Sequence, residues 1–139
     1  MYPPFDLPSG PPENPNVSEE PPEVLLLARR IEPAELRRLV ARFEEMVKYV
    51  VDVEQARIAI GGEMHVDGEQ LLLESGSRQA DLWGANYYPG RGREGCIEYT
   101  SFINIRPSSG NRAMELLDPA LRDKVREITF ALVGDGEAL

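Results

Sequence analysis

The segment GGEMHVDGE, residues 61–69, holds the chain's single histidine with an acidic residue two positions away on each side. Glu63, His65 and Asp67 at that spacing offer three chemistries: metal ligation, general acid–base catalysis, or a histidine satisfied by a carboxylate. Read as an extended strand, the segment sends these three side chains to one face at intervals of about 6.5 Å, with Met64 and Val66 on the other. Such a strand presents at most two well-spaced ligands to one ion. Zinc or iron takes three or four, so no metal is assigned. Acids beside an imidazole predict a raised pKa and a fold stabilised by protonation. As a general base, His65 would be oriented by Glu63 or Asp67.

Later segments are expected to add to the same polar face. CIEYTSFINIRP, residues 96–107, reads as a strand that divides by alternation. Ile97, Tyr99, Ser101, Ile103 and Ile105 fall on its greasy side, while Glu98, Thr100, Phe102, Asn104 and Arg106 fall on its polar side. DLWGANYY supplies Trp83, an aromatic able to stack or to cap the core edge. Arg106 and Arg112 flank a glycine-containing loop, where they would clamp an anion or pair with Glu98, Glu115 or Asp118. The predicted ligand-binding set is therefore Glu63, His65, Asp67, Trp83, Glu98, Asn104, Arg106 and Arg112. Phosphate-loop, nucleophile-elbow, zincin and paired C-x-x-C motifs are missing, so the sequence specifies no cofactor.

The elements that must position this face follow from periodicity. VLLLARR predicts a buried strand near 24–29. In IEPAELRRLVARFEEMVKYV, Leu36, Leu39, Val40, Phe43, Val47 and Val50 keep a helical rhythm, with Pro33 at the first helical position. YVVDVE, RIAIGGEMH, EQLLLE and ADLWGANYY read as strands separated by turns, although the first helix could run on past Val51. DPALRDKVREITFALV predicts a second helix with Asp118 as N-cap and Leu121, Val125, Ile128 and Leu132 as its apolar stripe. The expected fold is α+β: an antiparallel sheet of about four to five strands with two helices packed on one face. Eight of the chain's 12 prolines fall within 1–22, with four acids and no base. That composition predicts a disordered proline-rich tail, then a single domain over 23–134 and a frayed end at 135–139.

The totals narrow the function classes. With 15 Lys+Arg against 24 Asp+Glu, the formal charge is -9. That balance argues against a nucleic-acid partner and against anionic membrane surfaces. The single cysteine, Cys96, cannot form an internal disulfide and reads as a small buried residue in a reducing, cytoplasmic setting. No signal-peptide pattern opens the chain and no apolar run approaches the roughly 20 residues of a membrane helix. An exposed edge strand would leave a homodimer open.

The ordered motifs GGE-x-H-x-D, DLWGA and INIRP…NR-x-ME…DP resemble a small bacterial family known only as a domain of unknown function. The resemblance spans most of 24–133. It implies a single compact bacterial, cytoplasmic domain and carries over no activity, cofactor or catalytic residue. The residues themselves favour a non-catalytic module that binds a small ligand or a protein through the polar face of its sheet. The alternative is a small hydrolase-like enzyme with His65 as general base and Arg106 holding an anionic substrate.

Overall fold

Short apolar runs that alternate with charged residues become strands here, and the computed structural model describes them over residues 23–139. The proline-rich stretch 1–22, with the disorder expected of it, lies outside the described residues. Strand β1 (Val24–Leu27) leads to helix α1 (Pro33–Phe43), which Pro33 opens and whose Leu36 and Leu39 are buried. The helix ends earlier than its apolar rhythm suggested. Glu44 takes φ 69 and ψ -76, and the Glu45 N–H donates to the Phe43 carbonyl at 2.9 Å. This tight γ-type reversal hands Val47 and Val50 to strand β2 (Val47–Asp52).

Asp52 shapes the next turn. Its Oδ1 accepts from the Glu54 and Gln55 N–H groups at 3.0 and 2.8 Å. An Asx turn of this kind replaces backbone pairing where the chain reverses. Strand β3 (Arg57–Gly61) returns beside β2, and β4 (Leu82–Tyr87) and β5 (Ile97–Glu98) complete the sheet. The order is β1-β3-β2-β4-β5, with every neighbouring pair antiparallel. The fold is thus α+β around a five-stranded antiparallel sheet. Helices α1 and α4 (Pro119–Leu132) share one face, where Tyr49, Val51, Ile58 and Ile60 meet Leu36, Leu39, Val125 and Ile128. Asp118 caps α4, its Oδ1 accepting from the Ala120 N–H at 2.9 Å.

The opposite face is where the structure departs from expectation. EQLLLE does not form a strand. It belongs to helix α2 (His65–Glu74), which crosses the face that was expected to stay polar and wetted. Gly61 and Gly62, at φ 107 and 84, turn the chain out of β3 and into α2. Asp67 then steadies the first turn by accepting the Met64 N–H at 3.0 Å. Gly68 lets the helix lie close, since a Cβ there would stand 3.2 Å from Val50 and 3.3 Å from Ala59. Leu72, Val50, Ala59 and Leu82 form the smaller apolar cluster beneath it.

The strand expected over 96–106 is also cut short. β5 ends at Glu98, and the chain continues as one-turn helices at Phe102–Asn104 and Pro107–Ser109. Ile105 is 43% exposed instead of buried beneath the helices, and Ile103 packs toward α2. At the other end, part of the segment expected to fray, 135–139, makes defined contacts through Gly136 and Glu137. Gly136 accepts from the Gly92 N–H at 2.9 Å, and its own N–H donates to the Tyr87 hydroxyl at 3.0 Å. Among the described residues, no helix is long and apolar enough to cross a membrane.

Candidate functional site

Strand register brings together a row of polar residues. Lys48 on β2 faces Asn86 on β4, and Asn86 faces Glu98 on β5. Their strand neighbours Val47, Tyr49, Ala85 and Tyr87 point into the main core, so alternation sends Lys48 and Asn86 to the α2 face. There the N-terminus of α2 approaches from one side and residues 100–104 from the other. Between them lies a cleft of about 270 Å³. Lys48, His65, Asn86 and Ser101 line its polar part, and Met64, Val66, Phe102, Ile103 and Met114 its apolar part.

Gly84 makes the closure possible. A Cβ at this position would lie 2.6 Å from Cβ of Ser101 and 3.2 Å from Cδ2 of His65. Only a residue without a side chain admits both neighbours. The wall at 100–106 is hung from β4 by side chains instead of a strand ladder. Asn104 is fully buried; its Oδ1 accepts from the Gly84 N–H at 2.8 Å and its Nδ2 donates to the Gly84 carbonyl at 3.0 Å. One amide thus satisfies the donor and acceptor that a neighbouring strand would have taken. Asn111 repeats the device, donating to the carbonyls of Asn104, Ala113 and Glu115 and accepting from Leu117 N–H.

His65 sits at the first helical position of α2, with a ring nitrogen, Nε2, 2.8 Å from the Ala85 carbonyl oxygen. A carbonyl can only accept, so Nε2 carries the hydrogen and Nδ1 keeps the lone pair. Burial pushes the His65 pKa below its ordinary value, and the Lys48 charge acts in the same direction. The Ala85 bond, the Asn86 side-chain amide beside the ring and the Glu98 charge push back without reversing it. The imidazole is therefore neutral near pH 7. This corrects the expectation of a raised pKa, because the acids that flank His65 in sequence do not bond to it. Asp67 is turned to the Met64 N–H, and the Glu63 carbonyl accepts from Lys48 Nζ at 2.6 Å.

The other predicted residues divide by location. Glu98 adjoins the cleft, its Oε1 accepting from Asn86 Nδ2 at 2.7 Å. Trp83 is 3% exposed and belongs to the α1–α4 core, on the sheet face opposite His65. Arg106 reaches round the open edge of β4, with its guanidinium carbon 4.4 Å from the Trp83 ring centre. It donates to the Leu82 and Ile103 carbonyls, so it braces the wall rather than facing an anion. Arg112 is exposed. Cys96 is buried in the core.

Lys48, Asn86, Ser101 and Met114 line the cleft and were not picked out from sequence. For two of them a signal exists: Lys48 and Asn86 are single polar residues set between apolar neighbours in the strands VKYVVD and LWGANY. Asn86 carries the feature that most distinguishes the cleft. It is 6% exposed, and its Oδ1 is buried with no hydrogen-bond partner. A wider hollow of about 600 Å³ lies between α4 and α3 (Gly92–Gly95), but its charges include the pairs Arg126–Asp123 and Arg93–Asp135. No group of three or more His, Cys, Asp or Glu suited to a metal ion occurs among the described residues.

Fold and site together define an antiparallel α+β domain with helices on both faces and a small, mostly apolar cleft closed by a polar floor. The chain belongs to the family described as "Protein of unknown function (DUF5674)", which matches residues 25–132. No curated protein and no solved structure matches it.

Proposed function

We propose that this domain is a binding module that takes a small molecule in the cleft between α2 and residues 100–104. The observation that carries the reading is Asn86 Oδ1, a buried acceptor without a partner in a residue that lines the cleft. A buried polar atom left unpaired destabilises a fold by about 1–3 kcal/mol, and a ligand donor offsets that loss on binding. The surroundings agree with this use: apolar walls and a few convergent polar groups are the usual makeup of ligand sites. The volume of about 270 Å³ suits a small ligand or a single bulky group.

Exposed apolar side chains at the mouth support entry from solvent. Phe102 is 73%, Met64 58% and Val66 46% exposed. A hydrolase-like role for His65 is less supported, since its hydrogen bond runs to a main-chain carbonyl and not to an orienting carboxylate.

Val66→Trp tests the reading by placing a large ring across the mouth at an exposed position. Compounds from a metabolite panel that raise the melting temperature of the wild type are expected to lose that effect in the variant. The variant alone should melt within about 2 °C of the wild type, because exposed sites contribute little to stability. Equal shifts in both proteins, or no shift with any compound, would count against a small-molecule site.

A further inference from the structure

The hydrogen-bonding groups of the cleft floor restrict the head group it can accept. Glu98 binds the Nδ2 side of the Asn86 amide, which leaves Oδ1 as an acceptor beside the His65 ring with no well-formed hydrogen bond of its own. His65 donates to Ala85 through Nε2, which leaves Nδ1 as a second acceptor. Lys48 gives one of its three ammonium hydrogens to the Glu63 carbonyl. Asn86, His65 and Lys48 therefore supply two neutral acceptors and one cation, beside the Thr100 and Ser101 hydroxyls, which can turn to donate or accept. Building on the small-molecule reading, we infer that the cleft takes an uncharged carboxamide borne on an apolar group. Its N–H donates to the Asn86–His65 acceptors and its carbonyl accepts from Lys48 Nζ.

Other head groups match this set less well. A carboxylate satisfies Lys48 but brings a third acceptor against Asn86 Oδ1, which then stays unpaired. An ammonium satisfies Oδ1 but meets the Lys48 charge at close range in a partly desolvated site, where like charges repel strongly. A plain hydrocarbon leaves every polar group of the floor unpaired. Only a group with both a donor and an acceptor, and no net charge, answers all three. Because Oδ1 is shielded from water, it has no solvent partner to give up, and a ligand N–H there keeps more of its intrinsic strength. Reaching it takes a small shift of the cleft floor. The walls fit a flat or branched apolar body: Met64 and Met114 are adaptable thioethers, and Phe102 offers a ring edge or face.

Four probes of similar size separate the alternatives: benzamide, benzoate, benzylamine and toluene. Each is titrated into the full chain while the Asn86 side-chain amide and the His65 ring are followed by NMR. Benzamide is expected to bind about tenfold more tightly than the other three and to shift the Asn86 amide resonances most. Lys48→Met removes the carbonyl's partner and the repulsion of ammonium together. In that variant benzamide should weaken about tenfold while benzylamine gains. Asn86→Leu should abolish the preference of benzamide over toluene. Asn86 is buried, so if that variant does not fold, the half-exposed Lys48→Met decides the matter. Equal affinities, or a preference for either charged probe, overturn the carboxamide assignment and leave the small-molecule reading standing. Failure of all four to bind overturns both.

Discussion

His65 is held neutral by its surroundings, and the consequence is measurable. Burial lowers its pKa in the folded state, while the unfolded chain keeps a value of about 6.5. As pH falls, the unfolded state takes up the proton first. The contribution to stability is therefore complete above about pH 6.5 and is lost as pH drops from there through the folded-state value. Urea midpoints measured between pH 7.5 and 5.5 should fall more steeply for the wild type than for His65→Gln, which carries no proton in that range. Parallel curves would show that the imidazole is not desolvated as described. The flanking acids suggested the opposite sign, and the reason is geometric. On a strand, Glu63 and Asp67 would have shared the histidine's face. On α2, positions two apart diverge, and Asp67 turns back to the Met64 N–H.

At the scale of elements, the wall over 100–106 depends on Asn104. Asn104→Ala would remove the side-chain partner of the Gly84 N–H and the Gly84 carbonyl and leave the Met114 carbonyl with the Ser101 N–H alone. The expected loss is about 3 kcal/mol in urea denaturation, with faster hydrogen exchange at the Gly84 amide. Unchanged exchange would mean that another group holds the wall. This wall was read as a strand because Ile97, Tyr99, Ile103 and Ile105 do alternate. Alternation reports which residues share a face only if the ladder continues, and here side-chain amides replace it after Glu98. Helix α2 escaped notice for related reasons. Three consecutive leucines, Leu71–Leu73, obscure a 3.6-residue period, Gly68 weakens helix propensity, and the N-cap is Met64 instead of a serine, threonine, asparagine or aspartate. Packing on Val50 and Ala59 overrides all three. By contrast, α1, α4 and strands β1 to β4 were legible, because Pro33, Asp118 and Pro119 mark helix starts and the strands are short, largely apolar runs, VLLL, VKYVVD, RIAIG and LWGANY, too brief for helices. Of the cleft, only His65 was singled out as a site residue that lines it. The rest depends on the register that pairs Lys48 with Asn86, which no local pattern displays.

At the scale of the whole molecule, the C-terminal residues lock the sheet from the α4 side. Removing 134–139 would release the Tyr87 hydroxyl from the Gly136 N–H and free the Gly90 and Gly92 N–H groups from Glu137 and Gly136. Tyr87 is fully buried, so its cover goes as well. The truncated chain is expected to melt about 5–10 °C lower, consistent with a loss of roughly 2 kcal/mol. A melting temperature within a degree of the full chain would show that the docking contributes nothing. The large apolar cluster thus lies under α1 and α4, and the cleft lies under α2 on the reverse of the sheet. Phe102 and Met114 border the cleft through side chains that hold no part of the main core together. Descendants of such a chain are free to trade these two residues and so change what they recognise, generation by generation, while the scaffold that lets them fold goes on unaltered.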